Sequence, residues 1–450
     1  MLAWDWKRRK PFYDFVVVGS GYGGAITAAR IAASDPKPGV CVLERGREWR
    51  PGEFPDSLDR ILAAQRSSVN PLGLYEFLTY RDISVIKGSG LGGTSLVNAN
   101  VAIVPDPEAF SLAGWPAALN LDALAPYYEL ARAALDASPH PRAAQLAKVR
   151  ALGRRAAELG RPVRPLELTV NFQPGRQDPL GNPRVVCNDC GDCVTGCNTG
   201  AKNTLYMNYL PMAWKAGAEI YTQTKVEWIE KLPGGLWRIH GRHYRNNTFQ
   251  ETFTLEAKNV ILAAGAINTT EILLRSEMRG LRVSPRVGAG FSGNGDFFGL
   301  AYNGDYRTDV AGLGRRVESP GGLTPPGPTI VAALRYNGGA PVDQRMTIED
   351  LSFPSGYAQA ARAAFALLRG EDTDAGDEDA ERRRISRDLE PFTPVPPGGA
   401  LNHTMLYLCM GFDDARGTIV FEAPWYEPDG RVRVEWDGVG RQPVFARINE

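Results

Sequence analysis

Six residues near the N-terminus, Gly19-Ser20-Gly21-Tyr22-Gly23-Gly24, fit the pattern G-x-G-x-x-G. Alone the pattern is weak; its surroundings make it specific. Tyr13 to Val18 is a short β-branched and aromatic run that reads as a buried strand, and Ala25 to Ala33 holds good helix formers. Asp35-Pro36-Lys37-Pro38-Gly39 stops that helix, and Val40 to Leu43 is a second buried strand. A strand–glycine loop–helix–strand unit of this kind binds dinucleotides. Gly19 permits the tight turn, Gly21 lets a pyrophosphate approach the backbone, and Gly24 lets helix and strand pack closely. The phosphates are expected at the helix N-terminus, where free N–H groups and the dipole favour anions. Glu44 lies twenty residues past Gly24, at the end of the second strand. A carboxylate there accepts hydrogen bonds from an adenosine ribose and repels a 2′-phosphate, which disfavours NADP.

The remaining chain is long enough, at 450 residues, for two or three domains. Its 51 basic and 51 acidic residues balance, which argues against non-specific nucleic-acid binding. No apolar run reaches the roughly 18 residues of a membrane helix, so no transmembrane segment is expected. The apolar run before the glycine loop has no cleavage pattern of a leader, and the default location is cytoplasmic. Leu121 to Ala137 and Arg142 to Leu159 carry helical periodicity; Arg161 to Asn182 is proline-rich and reads as loop. Glu219 to Val260 alternates polar and apolar residues, which predicts antiparallel strands, and Val260 to Ala264 predicts a further buried strand ahead of Gly265 and a helix over Thr269 to Arg275. Glu371 to Arg384 is a mixed-sign charged run read as a solvated insertion. Gly417 to Phe421 and Arg431 to Trp436 predict two strands joined through the turn Glu427-Pro428-Asp429-Gly430.

A second glycine cluster, Lys87-Gly88-Ser89-Gly90-Leu91-Gly92-Gly93-Thr94-Ser95-Leu96-Val97-Asn98, separates NAD from FAD. Four glycines in six residues, Gly88, Gly90, Gly92 and Gly93, are expected to bring bare backbone against a flat ligand. A nicotinamide enzyme has no need of a second such loop, whereas a flavin ring is held by backbone groups remote from the pyrophosphate.

At these residues the sequence resembles the glucose–methanol–choline (GMC) oxidoreductases, FAD enzymes that oxidise alcohols, over nearly all of its length. Gly88 to Asn98 is similar to their first signature, with Ser89 where many members have a basic residue or Asn. Ala263-Ala264-Gly265-Ala266-Ile267-Asn268 is similar to their second FAD-contacting turn, and Val226 falls in the segment whose backbone faces the adenine. Within the superfamily, Val287-Gly288-Ala289-Gly290-Phe291-Ser292-Gly293-Asn294-Gly295 and Leu406-Tyr407-Leu408 followed by Arg416-Gly417-Thr418 resemble the bacterial cholesterol oxidase branch. Thr347 to Gly356 can be laid on that branch's segment bearing a catalytic glutamate, which implies Glu349 in that role; a surface carboxylate is the alternative. The C-terminal His segment of the family has no counterpart here. The histidines His140, His240, His243 and His403 lie in no such motif, and His403 reads as a packed histidine of a strand. The resemblance therefore implies a chain that stops short of that segment.

The resemblance implies an α/β (α+β) fold: a Rossmann-like FAD-binding domain with three-layer ββα features, and an antiparallel-sheet substrate domain. The expected division is 11–112 and 199–300 for the FAD-binding domain, 113–198 for a helical and Cys-rich cap segment, and 301–450 for the substrate-binding domain without its C-terminal end.

Cys187, Cys190, Cys193 and Cys197 crowd four of the six cysteines into eleven residues, with the spacing of a bacterial ferredoxin run but Asn198 in place of its proline. An iron–sulfur cluster, a zinc ion with four thiolates, or structural thiols are the open readings. The functional expectation is an FAD-dependent oxidoreductase that oxidises a sterol or similar bulky apolar alcohol to a ketone, with steroid double-bond isomerisation in addition. One alternative is an FAD/iron–sulfur dehydrogenase for long-chain or polycyclic alcohols that passes electrons to an acceptor protein. The other is a non-catalytic FAD-binding fragment.

Overall fold

The computed structural model describes residues 1–112, 115–315, 324–336, 340–365, 378–388, 399–423 and 430–450. Along the chain, β1 (Phe12–Val18), α1 (Tyr22–Ala32) and β2 (Val40–Leu43) come first, then the hairpin β3 (Tyr75–Thr79) and β4 (Ser84–Gly88). The helices α2 (Leu121–Leu135) and α3 (Ala147–Glu158) precede β5 (Val163–Pro165). The strands β6 (Glu219–Tyr221), β7 (Thr224–Lys231), β8 (Trp237–Arg245) and β9 (Thr248–Leu262) lead into α4 (Ala266–Glu277). The C-terminal third adds β10 (Ala289–Phe291), β11 (Phe297–Ala301), β12 (Ala332–Tyr336), β13 (Met346–Leu351), β14 (Met405–Gly411), β15 (Gly417–Glu422) and β16 (Arg431–Glu435).

The first sheet runs β6-β2-β1-β9-β8-β7. Its β6, β2, β1 and β9 are parallel neighbours; β9, β8 and β7 form an antiparallel meander. Val16 and Val17 of β1 and Val42 of β2 have no exposed surface, as strands covered on both faces require. Helix α1 buries Ala25, Ala28, Ala29 and Ala32, one small-residue stripe at helical spacing, against that sheet's core. The strand expected over Val260 to Ala264 is instead the end of β9, whose last three residues are Val260 to Leu262. Leu255 and Ala257 continue the buried alternation without a turn residue, so one fifteen-residue strand pairs with β8 and then runs parallel to β1.

The second sheet, β11-β14-β13-β12-β5, is antiparallel throughout, and α3 packs Leu152 and Ala156 on one of its faces. Strand β5 lies inside the segment read as loop. It adds to the sheet edge, where Pro165 opposite Ala332 deprives no interior ladder of a donor. A third sheet joins β10, β15 and β16. Most of the expected turn after Phe421 and the first half of the charged run, 371–377, lie outside the described residues; the rest of that run, Glu378 to Arg384, belongs to the helix Glu378–Asp388. Among the described residues no helix is long and apolar enough to cross a membrane.

Candidate functional site: a dinucleotide cavity and a buried carboxyl

The first glycine loop leaves the C-terminal end of β1 and borders a cavity of about 770 Å³. Gly19, Gly21, Glu44, Gly88, Gly93, Val226, Ala264 and Gly265 all line it. Gly19 has φ +96°, and a Cβ there would stand 2.4 Å from the Ala263 carbonyl oxygen. A Cβ on Gly24 would stand 2.0 Å from the Gly19 carbonyl oxygen, so Gly24 lies under the loop as the helix–strand contact rather than on the cavity wall. Gly21 is the reverse case: a Cβ would meet no protein atom within 4 Å and would project into open space. Gly21 is also the N-cap of α1 and offers no side chain, so the first N–H groups of the helix lack protein acceptors and face the cavity. The arrangement has the form of an anion cradle.

The second loop backs onto the first. A Cβ on Gly93 would stand 2.8 Å from Gly21 Cα, and the Gly92 N–H donates to Ser20 Oγ at 3.0 Å. Gly92 is left-handed at φ +114° and shapes the turn without reaching the cavity. Asn98 stands just behind the wall, its Nδ2 donating to the hydroxyl of Tyr22, a cavity residue, at 3.0 Å. Glu44 is buried and turned partly inward: it accepts from Ser20 N (3.1 Å), Ser20 Oγ (2.5 Å) and Gly46 N (2.8 Å). Only its remaining lone pairs are open to a ribose.

Sequence reasoning missed the charged side of this cavity. Glu76 of β3 holds Arg45 at 3.0 Å and Lys87 at 3.1 Å, and also pairs with Arg66. Burial alone would raise Glu76, but the three cations prevail and bring it to about 2. No local motif marks Glu76; it meets Arg45 and Lys87 only because the β3–β4 hairpin folds beside the loop after β2.

The four clustered cysteines line one small cavity of about 10 Å³, room for about one water molecule. Each sulfur has a backbone donor. Asp189 N–H serves Cys187 and Lys202 N–H serves Cys197, both at 3.4 Å, while Asp192 and Thr329 serve Cys190 and Cys193. Burial pushes Cys187, Cys190 and Cys193 above the usual thiol range. Among the described residues no group of three or more His, Cys, Asp or Glu is placed to hold a metal ion. A four-iron cube has no room in this cavity, so the placement lends no support to the iron–sulfur and zinc readings.

Glu349 lies on β13 and is 1% exposed. Its cross-strand neighbours are Ala333 and Leu408, which pack with Ala99 and Val101 just past the second glycine loop. Its Oε1 has no hydrogen-bond partner among the described residues. Burial first, then the neighbouring charges of Asp350 and Asp296, push its pKa up to about 8. Asp350 points to the other face. There Lys148 of α3, fully buried, holds it at 2.9 Å, and the Val331 and Ala332 N–H groups donate to its other oxygen. The surface alternative for Glu349 is thereby excluded. Glu349 does not line the cofactor cavity. His403 closes a short 3-10 turn, Ala400–His403, rather than sitting in a strand, and its Nδ1 lies 3.2 Å from the Gly304 carbonyl oxygen.

The sequence matches the GMC oxidoreductase family over residues 13–292, more than half of the chain. This chain belongs to the GMC oxidoreductases. It is 31% identical over 287 residues to a cholesterol oxidase of Mycobacterium tuberculosis, covering 60% of this chain and 49% of that protein. It is 29% identical over 290 residues to a cholesterol oxidase of Acinetobacter baumannii, covering 60% and 51%. The chain thus spans about half the length of the curated relatives it matches. In fold it is similar to the pyridoxine 4-oxidase of Mesorbium loti (TM-score 0.53, 16% identity, 96% of this chain and 78% of that one). It is also similar to the formate oxidase of Aspergillus oryzae (TM-score 0.58, 13% identity, 97% and 78%). The family implies FAD for this GMC oxidoreductase. The cavity fits that cofactor by its volume and by the open space in front of Gly21 and Gly265. The GMC match ends at Ser292, just past Gly288, Ala289, Gly290 and Phe291, which also line the cavity. The glycine spacing of that segment was the sequence signal for them.

Proposed function

We propose that this GMC oxidoreductase oxidises a sterol or similar bulky apolar alcohol to a ketone and moves the steroid double bond afterwards. The observation that carries the reading is Glu349, a buried and unpartnered carboxyl with a pKa near 8, on the sheet face that packs behind the second glycine loop. FAD, when bound, supplies the acceptor for the hydride of the carbinol carbon. In this reading Gly19, Gly21, Gly24, Glu44, Gly88, Gly92, Gly93, Asn98, Val226, Ala264 and Gly265 build the cofactor site. The expected division of the chain into domains is kept with it.

Glu349 is the proton-moving group. A base that works near neutral pH takes a proton from the carbon between ketone and double bond and returns it at the far end of the alkene; a pKa near 8 suits both transfers. The match to two cholesterol oxidases supports the substrate class. The rival dehydrogenase reading needs a metal centre that the thiol cavity does not accommodate as it stands. The test is anaerobic: the FAD-loaded protein is mixed with cholesterol, a long-chain alcohol and a small polar alcohol. Bleaching of the flavin by the sterol, faster than by the others, is expected. Bleaching by the small alcohol alone would refute the sterol assignment.

A further inference from the structure

The loop that follows β2 borders two cavities. Glu44 and Arg45 line the cofactor cavity, whereas Arg47, Glu48 and Trp49 line another of about 1140 Å³; the two share no lining residue. The wall of the second is fixed by hydrogen bonds. The Arg47 carbonyl accepts from Leu91 N–H at 3.0 Å, the Gly46 carbonyl from Gln223 N–H at 2.9 Å, and the Asn247 side chain from Leu72 N–H at 3.1 Å. Gln223, Asn246 and Asn247 turn the chain at this edge with left-handed φ of +61°, +49° and +67°.

Most charges of this lining already have partners. Glu48 accepts from Leu2 N, Ala3 N and the Tyr206 hydroxyl. Glu53 holds Arg50 at 2.6 Å, Asp56 holds Arg60 at 2.7 Å, and Asp5 accepts from Lys7 N–H at 3.0 Å. Arg47 and Arg245 are left: among the described residues neither guanidinium makes a hydrogen bond or an ion pair. The Arg47 guanidinium lies over the Trp49 ring, 3.4 Å from its centroid, and burial pulls it below the usual arginine range. Trp49 beneath it is 6% exposed, and its Nε1 has no hydrogen-bond partner among the described residues. This wall offers positive charge and lacks an acceptor. A guanidinium stacks on flat rings through its plane and takes carboxylate or phosphate through its N–H fork. Trp4 adds a further flat wall, and the volume suits a small organic molecule rather than a bare ion.

We infer that this cavity is a second ligand site, apart from the cofactor site, for a small planar organic anion. Its ring packs against the Arg47–Trp49 stack and Trp4, and its carboxylate or phosphate ester is held by Arg47 and Arg245.

The test titrates the purified full chain in a calorimeter, at low salt, with naphthoate, naphthyl phosphate, neutral naphthamide and inorganic phosphate. A naphthyl anion is expected to bind, and the tighter of the two tells a carboxylate site from a phosphate-ester site. Naphthamide and inorganic phosphate are each expected to bind at least tenfold more weakly, because each lacks one half of the recognition. Arg47→Met and Arg245→Met are each expected to weaken the anion at least tenfold with an unchanged urea midpoint, since neither guanidinium has an ion-pair partner to lose. Arg47→Lys, which keeps the charge without the planar stack, is expected to weaken it as well. Binding of none of the four probes would overturn the proposal. Naphthamide as tight as the anions would do so by leaving an apolar groove, and inorganic phosphate as tight by leaving a bare anion site. Wild-type affinity in any of the three variants would overturn it too, by placing the ligand elsewhere.

Discussion

Glu349→Gln keeps the shape of the side chain and removes its titration, and the consequences for stability follow from its burial. In the folded protein the carboxyl is raised from 4.5 to about 8. Between those values the native state keeps a proton that the unfolded chain has released. Stability therefore falls as pH rises: Glu349's share is fully present below pH 4.5, shrinks through neutrality, and is gone once the pH passes about 8. At 1.36 kcal/mol per pH unit the whole difference comes to about 5 kcal/mol. A glutamine has no such term, so the variant is expected to gain on the wild type steadily across this window. Urea midpoints for both proteins at half-unit pH steps from about 5 to 9 measure the gap. Other buried groups titrate equally in both and cancel. Parallel curves would refute the argument, because they would mean that water or an unseen donor reaches Oε1 and that Glu349 ionises normally. The same variant tests the chemistry: conversion of a β,γ-unsaturated 3-ketosteroid is expected to slow about 10²–10⁴-fold, while the initial oxidation slows far less.

Gly21→Val places a branched side chain in the space now open before the cavity; loss of the yellow colour with an unchanged fold is expected, and full FAD stoichiometry would count against the cradle. Lys148→Met leaves the buried Asp350 without its cation and is expected to cost about 3–5 kcal/mol in a urea titration. A loss below about 1 kcal/mol would show that the pair is dispensable. Anaerobic purification followed by iron, sulfide and zinc analysis is expected to find the four clustered cysteines as free thiols; stoichiometric iron and sulfide would show that a cluster reshapes their cavity.

Local sequence determined the nucleotide-binding half almost completely. Glycine spacing, a β-branched run and an alanine stripe are short-range features, and each acts through sterics or burial within a few residues. Hence β1, α1 and β2 stand where the pattern sets them. The joining of β9 into one strand was less legible, because its two halves pair with different partners and only the sheet makes them continuous. The carboxyls show the limit most clearly. Alternation along Thr347 to Leu351 says that Glu349 and Asp350 face opposite ways, but not which of them is left without a partner. Lys148, some two hundred residues earlier on α3, decides it: its ammonium pairs with the ionised Asp350 and leaves Glu349 alone in a low-dielectric interior. Charge pairing in a core depends on distance in space, and only the packed chain sets that distance.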